Sequence, residues 1–144
     1  MEIAKGGFRE DIKKFFRSKM EANICRYYIY MKIPWEYEPK EFEFKGIKRG
    51  TRFYKPDFLL PIDDLWIEVK GYFRRQDKIK LRRFKRYYPE EFKKLRFVIP
   101  DKYAKDKVNG EMIAFLIDDL RIKFEDIESY KEIEKWKGFI PGWE

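Results

Sequence analysis

The chain contains no histidine. That excludes Ser–His–acid triads, HNH-type centres and ordinary zinc sites. Cysteine is almost as scarce. The single one, Cys25, rules out an intramolecular disulfide. Its neighbours Ala22, Ile24 and Tyr28 mark it as a small buried hydrophobe rather than a nucleophile. Long apolar runs are also missing. No stretch of about 18 apolar residues is present, so no spanning helix is expected. Met1 to Gly7 lacks the apolar stretch of a secretory signal, which points to the cytoplasm and away from membranes. Acid–base or metal chemistry must therefore draw on carboxylates, lysines, tyrosines and water.

What is present is charge and aromatic mass. The 144 residues fit one domain, read as 1–144, and 44% of them are hydrophobic, enough for one core. Charged residues make up 42%, with a formal net charge of +8. The excess is concentrated. Between Arg74 and Lys94 stand ten Lys or Arg against three acids. Such a block suits a polyanion, nucleic acid above all, although a solvated heat-adapted surface has the same composition.

Apolar spacing predicts a first helix from Phe8 to Met31, through Ile12, Phe16, Met20, Ile24 and Tyr28, closed by Pro34. Trp35 to Lys45 alternates aromatic and acidic residues, as a strand pair broken at Pro39-Lys40 would. Thr51 to Leu60 reads as a strand with an interior proline, Pro56, and so as an edge or a bulge. Pro61 to Asp64 is a tight connection, and Leu65 to Val69 a short strand. Arg74 to Tyr88 forms a helix whose buried stripe is Leu81, Phe84 and Tyr88. Leu95 to Ile99 reads as a buried parallel strand, and Val108 to Leu120 as a third helix. The rest, up to Trp143, is mixed. Trp136, Phe139, Ile140 and Trp143 suit a tail packed over the core; a dimer contact or a wedge against bases is the sharper reading. Gly6-Gly7 suits a disordered start, or a hinge for a basic arm. The order predicts an α/β fold, a mixed central β-sheet with helices on both faces.

Three residues carry the chemistry. Glu68 and Lys70 lie two apart on one strand and face the same way. An adjacent antiparallel strand would set Asp57 opposite them. The bland reading is a solvated strand face with an ion pair. The sharper one is a site for a hard divalent cation, with the Val69 carbonyl as a further ligand. A bound metal would acidify water and polarise phosphate, and Lys70 would orient the water or neutralise developing charge. Lys78, Arg82 and Lys85 share a helix face just downstream. With Arg74 and Arg75 they would track phosphates, unless they are merely a solvated face.

Pro56-Asp57 and Glu68-Val69-Lys70 resemble the motif of the PD-(D/E)XK nuclease superfamily. Arg17 to Asn23, Trp35 to Pro39 and Pro141 to Glu144 look like small phage-type Holliday-junction resolvases and endonucleases. The resemblance runs from about Gly7 onward. It departs from the archaeal branch, where the helical glutamate lies nearer the N-terminus. It implies a restriction-endonuclease-like core and a fourth acid from the first helix, Glu21. A surface pairing with Arg17 or Arg26 is the plain alternative for Glu21. It further implies Mg²⁺ as cofactor, with Mn²⁺ as substitute, and branched or four-way DNA as partner. A homodimer is implied too, and a host cytoplasm if the protein is phage-encoded. Nicking, flap-cutting or restriction-like cleavage would use the same residues. A non-enzymatic DNA-binding module would use the basic helix alone.

Overall fold

The computed structural model describes residues 5–144. Its centre is a five-stranded mixed sheet flanked by helices on both faces, so the predicted α/β class holds. The strands are β3 (Glu36–Tyr37), β6 (Phe58–Leu60), β7 (Leu65–Val69), β8 (Leu95–Ile99) and β9 (Ile127–Ser129), lying side by side in that order. The first three pair antiparallel and the last three parallel.

Alternation along the central strands divides the core. Trp66 on β7 and Leu95, Phe97 and Ile99 on β8 face α2 (Arg75–Tyr87), α3 (Pro89–Phe92) and α4 (Lys107–Ala114). Ile67, Val69 and Val98 face α1 (Lys19–Tyr30) and α5 (Tyr130–Glu134). Both faces are sealed by fully buried aromatics, among them Phe16 and Phe58 on one and Phe42, Phe84 and Phe97 on the other. Each such ring stabilises the fold by roughly 1.5–3 kcal/mol.

The first predicted helix is shorter than its apolar spacing suggested. Residues 7–16 form a hairpin of β1 (Gly7–Arg9) and β2 (Lys14–Phe16), with Lys13 left-handed at φ 62° in the turn. Ile12 and Phe16 fit a helical period by coincidence. The true start is Ser18, whose hydroxyl accepts from the Glu21 amide at 3.1 Å. Ser18-x-x-Glu21 is a helix-start signature that outranks periodicity. Gly7 opens β1, so the expected disordered start does not extend to it; residues 1–4 lie outside the described range.

The predicted 51–60 strand is two strands. β5 (Phe53–Tyr54) pairs with β4 (Phe42–Glu43) in a separate ribbon, and β6 joins the main sheet. Pro56 lies between them. It has no amide to donate, so the ladder breaks there. The break lets Tyr54 pack on the α2 side while Phe58 packs on the α1 side. The third helix ends in a π turn, Phe115–Asp119, and the C-terminal region contributes an unpredicted strand, β9. Ile140 and Trp143 pack inward, and Trp143 stacks on Tyr130 with ring centroids 5.8 Å apart. Among the described residues no helix is long and apolar enough to cross a membrane.

Candidate active site

The site forms where β7 ends between the N-termini of α1 and α2. Phe58 pairs with Ile67, so one further step of the antiparallel register sets Asp57 opposite Glu68. Asp57 itself lies in the bend before β6 rather than within a strand. One of its oxygens accepts the Val69 amide at 2.7 Å. Val69 thus meets the site through its N–H. Glu68 projects to the α2 face, where the Tyr54 hydroxyl donates to Oε1 at 2.5 Å. Its other oxygen, Oε2, lies 3.7 Å from Lys70 Nζ. Asp57 and Glu68 are 8% and 3% exposed, far below what carboxylates tolerate without partners.

Glu21 reaches the same region from α1. Its carboxylate accepts from Ser18 Oγ at 2.7 Å and from Tyr37 Oη at 2.8 Å. It pairs with neither Arg17 nor Arg26: Arg17 is taken by Glu38, and Arg26 by Asp11 and Glu144. The helix cap therefore also aims the acid.

The cleft has two lobes, of about 310 and 600 Å³. They share Arg17, Asp57, Lys70 and Asp77. Glu68 and Tyr54 line the smaller lobe; Glu21, Val69 and Arg74 line the larger.

The electrostatics are unbalanced toward negative charge. Burial, then the nearby charges of Glu68 and Glu21, hold the Asp57 carboxyl well above the usual carboxylate range. Burial raises Glu68 as well, against the pull of Lys70 and the Tyr54 hydroxyl. Burial works against the Lys70 ammonium, but Glu68 and Asp77 outweigh it and strengthen its hold on the proton. Two buried acids with one close ammonium favour a shared proton or a bound cation. Among the described residues, no group of three or more Asp, Glu, Cys or His side chains is close enough together to hold a metal ion. Asp57 and Glu68 alone offer the one or two carboxylates that Mg²⁺ takes beside water and phosphate oxygens. In donor chemistry they fit it.

The structure thus brings Glu21, Asp57, Glu68, Val69, Lys70 and Arg74 together. It does not bring Lys78, Arg82, Lys85 or Arg75 to the cleft lining. Three of these residues also brace the α4 side, with the Arg82 side chain still 52% exposed. Lys78 and Arg82 lie over the Phe115 ring, Arg82 also pairs with Asp119 at 2.5 Å, and Lys85 donates to the Leu120 carbonyl at 2.7 Å. Arg75 is exposed.

Sequence reasoning passed over Tyr54, Asp77 and Lys80. Asp77 accepts the Arg74 amide at 2.9 Å and binds Lys70 at 3.0 Å, so it caps α2 and steadies the lysine together. Its position three residues past the helix start was the available signal. Lys80 and Leu81 carry α2 along the small lobe.

Comparison with protein-family models, with curated proteins and with solved structures finds no match to this chain.

Proposed function

We propose that the protein is a Mg²⁺-dependent, structure-selective DNA endonuclease with a restriction-endonuclease-like core, cutting paired phosphodiesters at four-way junctions. The carrying observation is the buried Asp57–Glu68 pair with Lys70 beside it, at the convergence of two helix N-termini. Buried acids without matching cations are costly to keep, so their retention points to a cationic ligand. Both helix N-termini favour the anion that would come with it.

Asp57 and Glu68 would hold the metal, with the Val69 carbonyl as a further oxygen and Glu21 reached through water. When bound, the ion would lower the pKa of a water and offset charge on the phosphoryl oxygens. The water oxygen would bond to phosphorus as its proton passes to solvent, the ester bond to the leaving sugar oxygen would break, and that oxygen would take up a proton from solvent. Lys70, fixed by Asp77, orients the attacking water or meets the charge developing on phosphorus. Tyr54 keeps one Glu68 oxygen occupied, which leaves Oε2 toward Lys70 and the cleft. Arg17, Lys55, Arg74 and Lys80 supply positive charge at the cleft for the strand. A C2 dimer would offer two such sites to the two symmetric cuts of a junction.

The test is cleavage of labelled four-way junctions and of linear duplex with Mg²⁺. Paired nicks on the junction, lost by at least about a thousandfold in Glu68→Gln, are expected. Equal cutting of linear duplex would replace junction resolution by general nicking or restriction-like cleavage. No cutting of any DNA would end the nuclease reading.

A further inference from the structure

The β1–β2 hairpin carries two aromatic rings that the fold does not use. Phe8 and Phe15 stand directly opposite in the antiparallel register. They are 55% and 59% exposed, while Arg9 and Phe16, pointing the other way, are buried. Alternation requires an apolar residue only on the inner face. Polar side chains would satisfy the outer positions, yet both hold phenylalanine. Adjacent exposed rings of this kind mark a contact surface.

The hairpin is held in place. Arg9 bonds both carboxylate oxygens of Glu144, at 2.7 and 3.1 Å. Asp11, in its turn, binds Arg26 at 2.8 and 3.0 Å. The rings therefore sit on a fixed platform. Of the five Lys or Arg in residues 5–17, Arg9, Lys13 and Arg17 are paired with Glu144, Glu10 and Glu38, which leaves Lys5 and Lys14 without an ion pair among the described residues, against two acids in the same stretch. Both acids are already paired, Glu10 with Lys13 and Asp11 with Arg26. Lys14, next to Phe15 in sequence but on the Arg9 side of the strand, is exposed and makes no ion pair among the described residues. Two residues beyond Phe15 comes Arg17, which lines both lobes of the cleft. That is about 7 Å of extended chain.

We infer that Phe8 and Phe15 form a stacking platform for unpaired nucleobases of the nucleic acid whose phosphate enters the cleft. Aromatic faces beside cations are how proteins hold single-stranded bases without reading sequence. Paired bases are hidden inside the duplex and cannot reach the rings. The inference rests on the nucleic-acid reading of the cleft and narrows it: the preferred substrate carries unstacked bases near the scissile bond. A membrane or a second protein copy is a poorer occupant, because a cationic stacking surface complements a polyanion with exposed π faces.

Binding is measured in chelator, on a Glu68→Gln background, so cleavage plays no part. The probes are a branched DNA bearing 2-aminopurine at an unpaired position, and a fully paired linear duplex. Phe8→Ala and Phe15→Ala should each weaken binding to the branched DNA by about tenfold and reduce 2-aminopurine quenching. Duplex affinity should change by less than about twofold. Phe15→Tyr should restore binding and Phe15→Leu should not, because the tyrosine ring stacks and leucine only fills space. An unchanged melting temperature shows that the fold is intact. Equal losses on both DNAs would overturn the inference, as would a change in sedimentation from dimer to monomer in the double variant. Ring-dependent binding in a protein that cuts no DNA would sustain this inference while removing the nuclease reading; cleavage without ring dependence would do the reverse.

Discussion

Two clusters of charged residues each draw a member from α1, and they are balanced in opposite ways. Around Arg26, 6% exposed, the guanidinium meets Asp11, Glu144 and the Asn23 side-chain oxygen, and Arg9 meets Glu144 as well. The Arg26 hydrogen bonds hold Asp11 below its ordinary pKa, and those of Arg9 and Arg26 do the same for Glu144. Around Asp57, burial and two acidic neighbours push the other way. The first cluster closes the C-terminal residue onto the hairpin and the helix, and its charges cancel. In the second, among the described residues, only Lys70 forms an ion pair with either of the two buried acids. Residues that merely hold the fold can be fully satisfied. Residues kept for a ligand must stay partly unsatisfied until it arrives.

The largest expected effect comes from breaking the balanced cluster. Arg26→Met leaves Asp11 and Glu144 without their main partner and Asn23 without a donor. Removing one member of a buried pair costs about 3–5 kcal/mol, and the partial exposure of both acids discounts this to roughly 2–3 kcal/mol. Both acids have depressed folded pKa values. Their stabilisation is therefore present above the unfolded values, about 4, and is lost as pH falls through the folded ones. Urea denaturation should show the full deficit at neutral pH and a shrinking one below about pH 4. A deficit under about 0.5 kcal/mol at neutral pH would show that the cluster is ornamental.

The site should respond with the opposite sign. Asp57→Asn removes the most disfavoured charge and keeps the shape, so the metal-free protein should gain about 1 kcal/mol at neutral pH. Here the folded pKa is raised. The stabilising contribution of Asp57 is complete below its unfolded value, about 4, and is lost as pH rises through the folded one. The advantage of the variant should thus appear above that range and vanish near pH 4. Thermal melts in chelator at both pH values measure it. Added Mg²⁺ should raise the melting temperature of wild type and leave Asp57→Asn unmoved. A variant less stable than wild type at neutral pH would mean that Asp57 is a satisfied structural acid, held by the Val69 amide.

These contrasts also explain what could be read in advance. The central strands and α2 were legible, because Leu65 to Val69 and Leu95 to Ile99 are apolar runs between clear breakers. Opposition of Asp57 to Glu68 followed from strand geometry alone. The hairpin was not legible as such: Phe8, Ile12 and Phe16 mimic a helical stripe, and only Ser18-x-x-Glu21 betrays the true start. β9 is three residues with one apolar member, Ile127, too short for any period to show. Within the site, Tyr54 looked like an ordinary strand aromatic. Its role depends on Pro56 sending it to a different sheet from Phe58, which no local pattern reveals.

The two faces of α2 sharpen the comparison at the smallest scale. Lys78, Arg82 and Lys85 looked like a ridge for phosphates because they are three and four apart. That spacing proves only that they share a face, and the face turns out to meet Phe115, Asp119 and the Leu120 carbonyl. Lys80 has no comparable run of neighbours, yet it lines the lobe that holds Glu68. Lys80→Ala should therefore weaken DNA binding by about threefold to tenfold and lower the salt slope by about one unit. Arg82→Ala should leave both within about twofold, and instead cost up to about 1 kcal/mol of stability through the lost Asp119 pair and Phe115 contact. Fluorescence anisotropy across a salt series separates the two. If Arg82→Ala proved the more damaging to binding, the phosphates would run along the braced face of α2, and the strand's path from the cleft would have to be redrawn past Asp119.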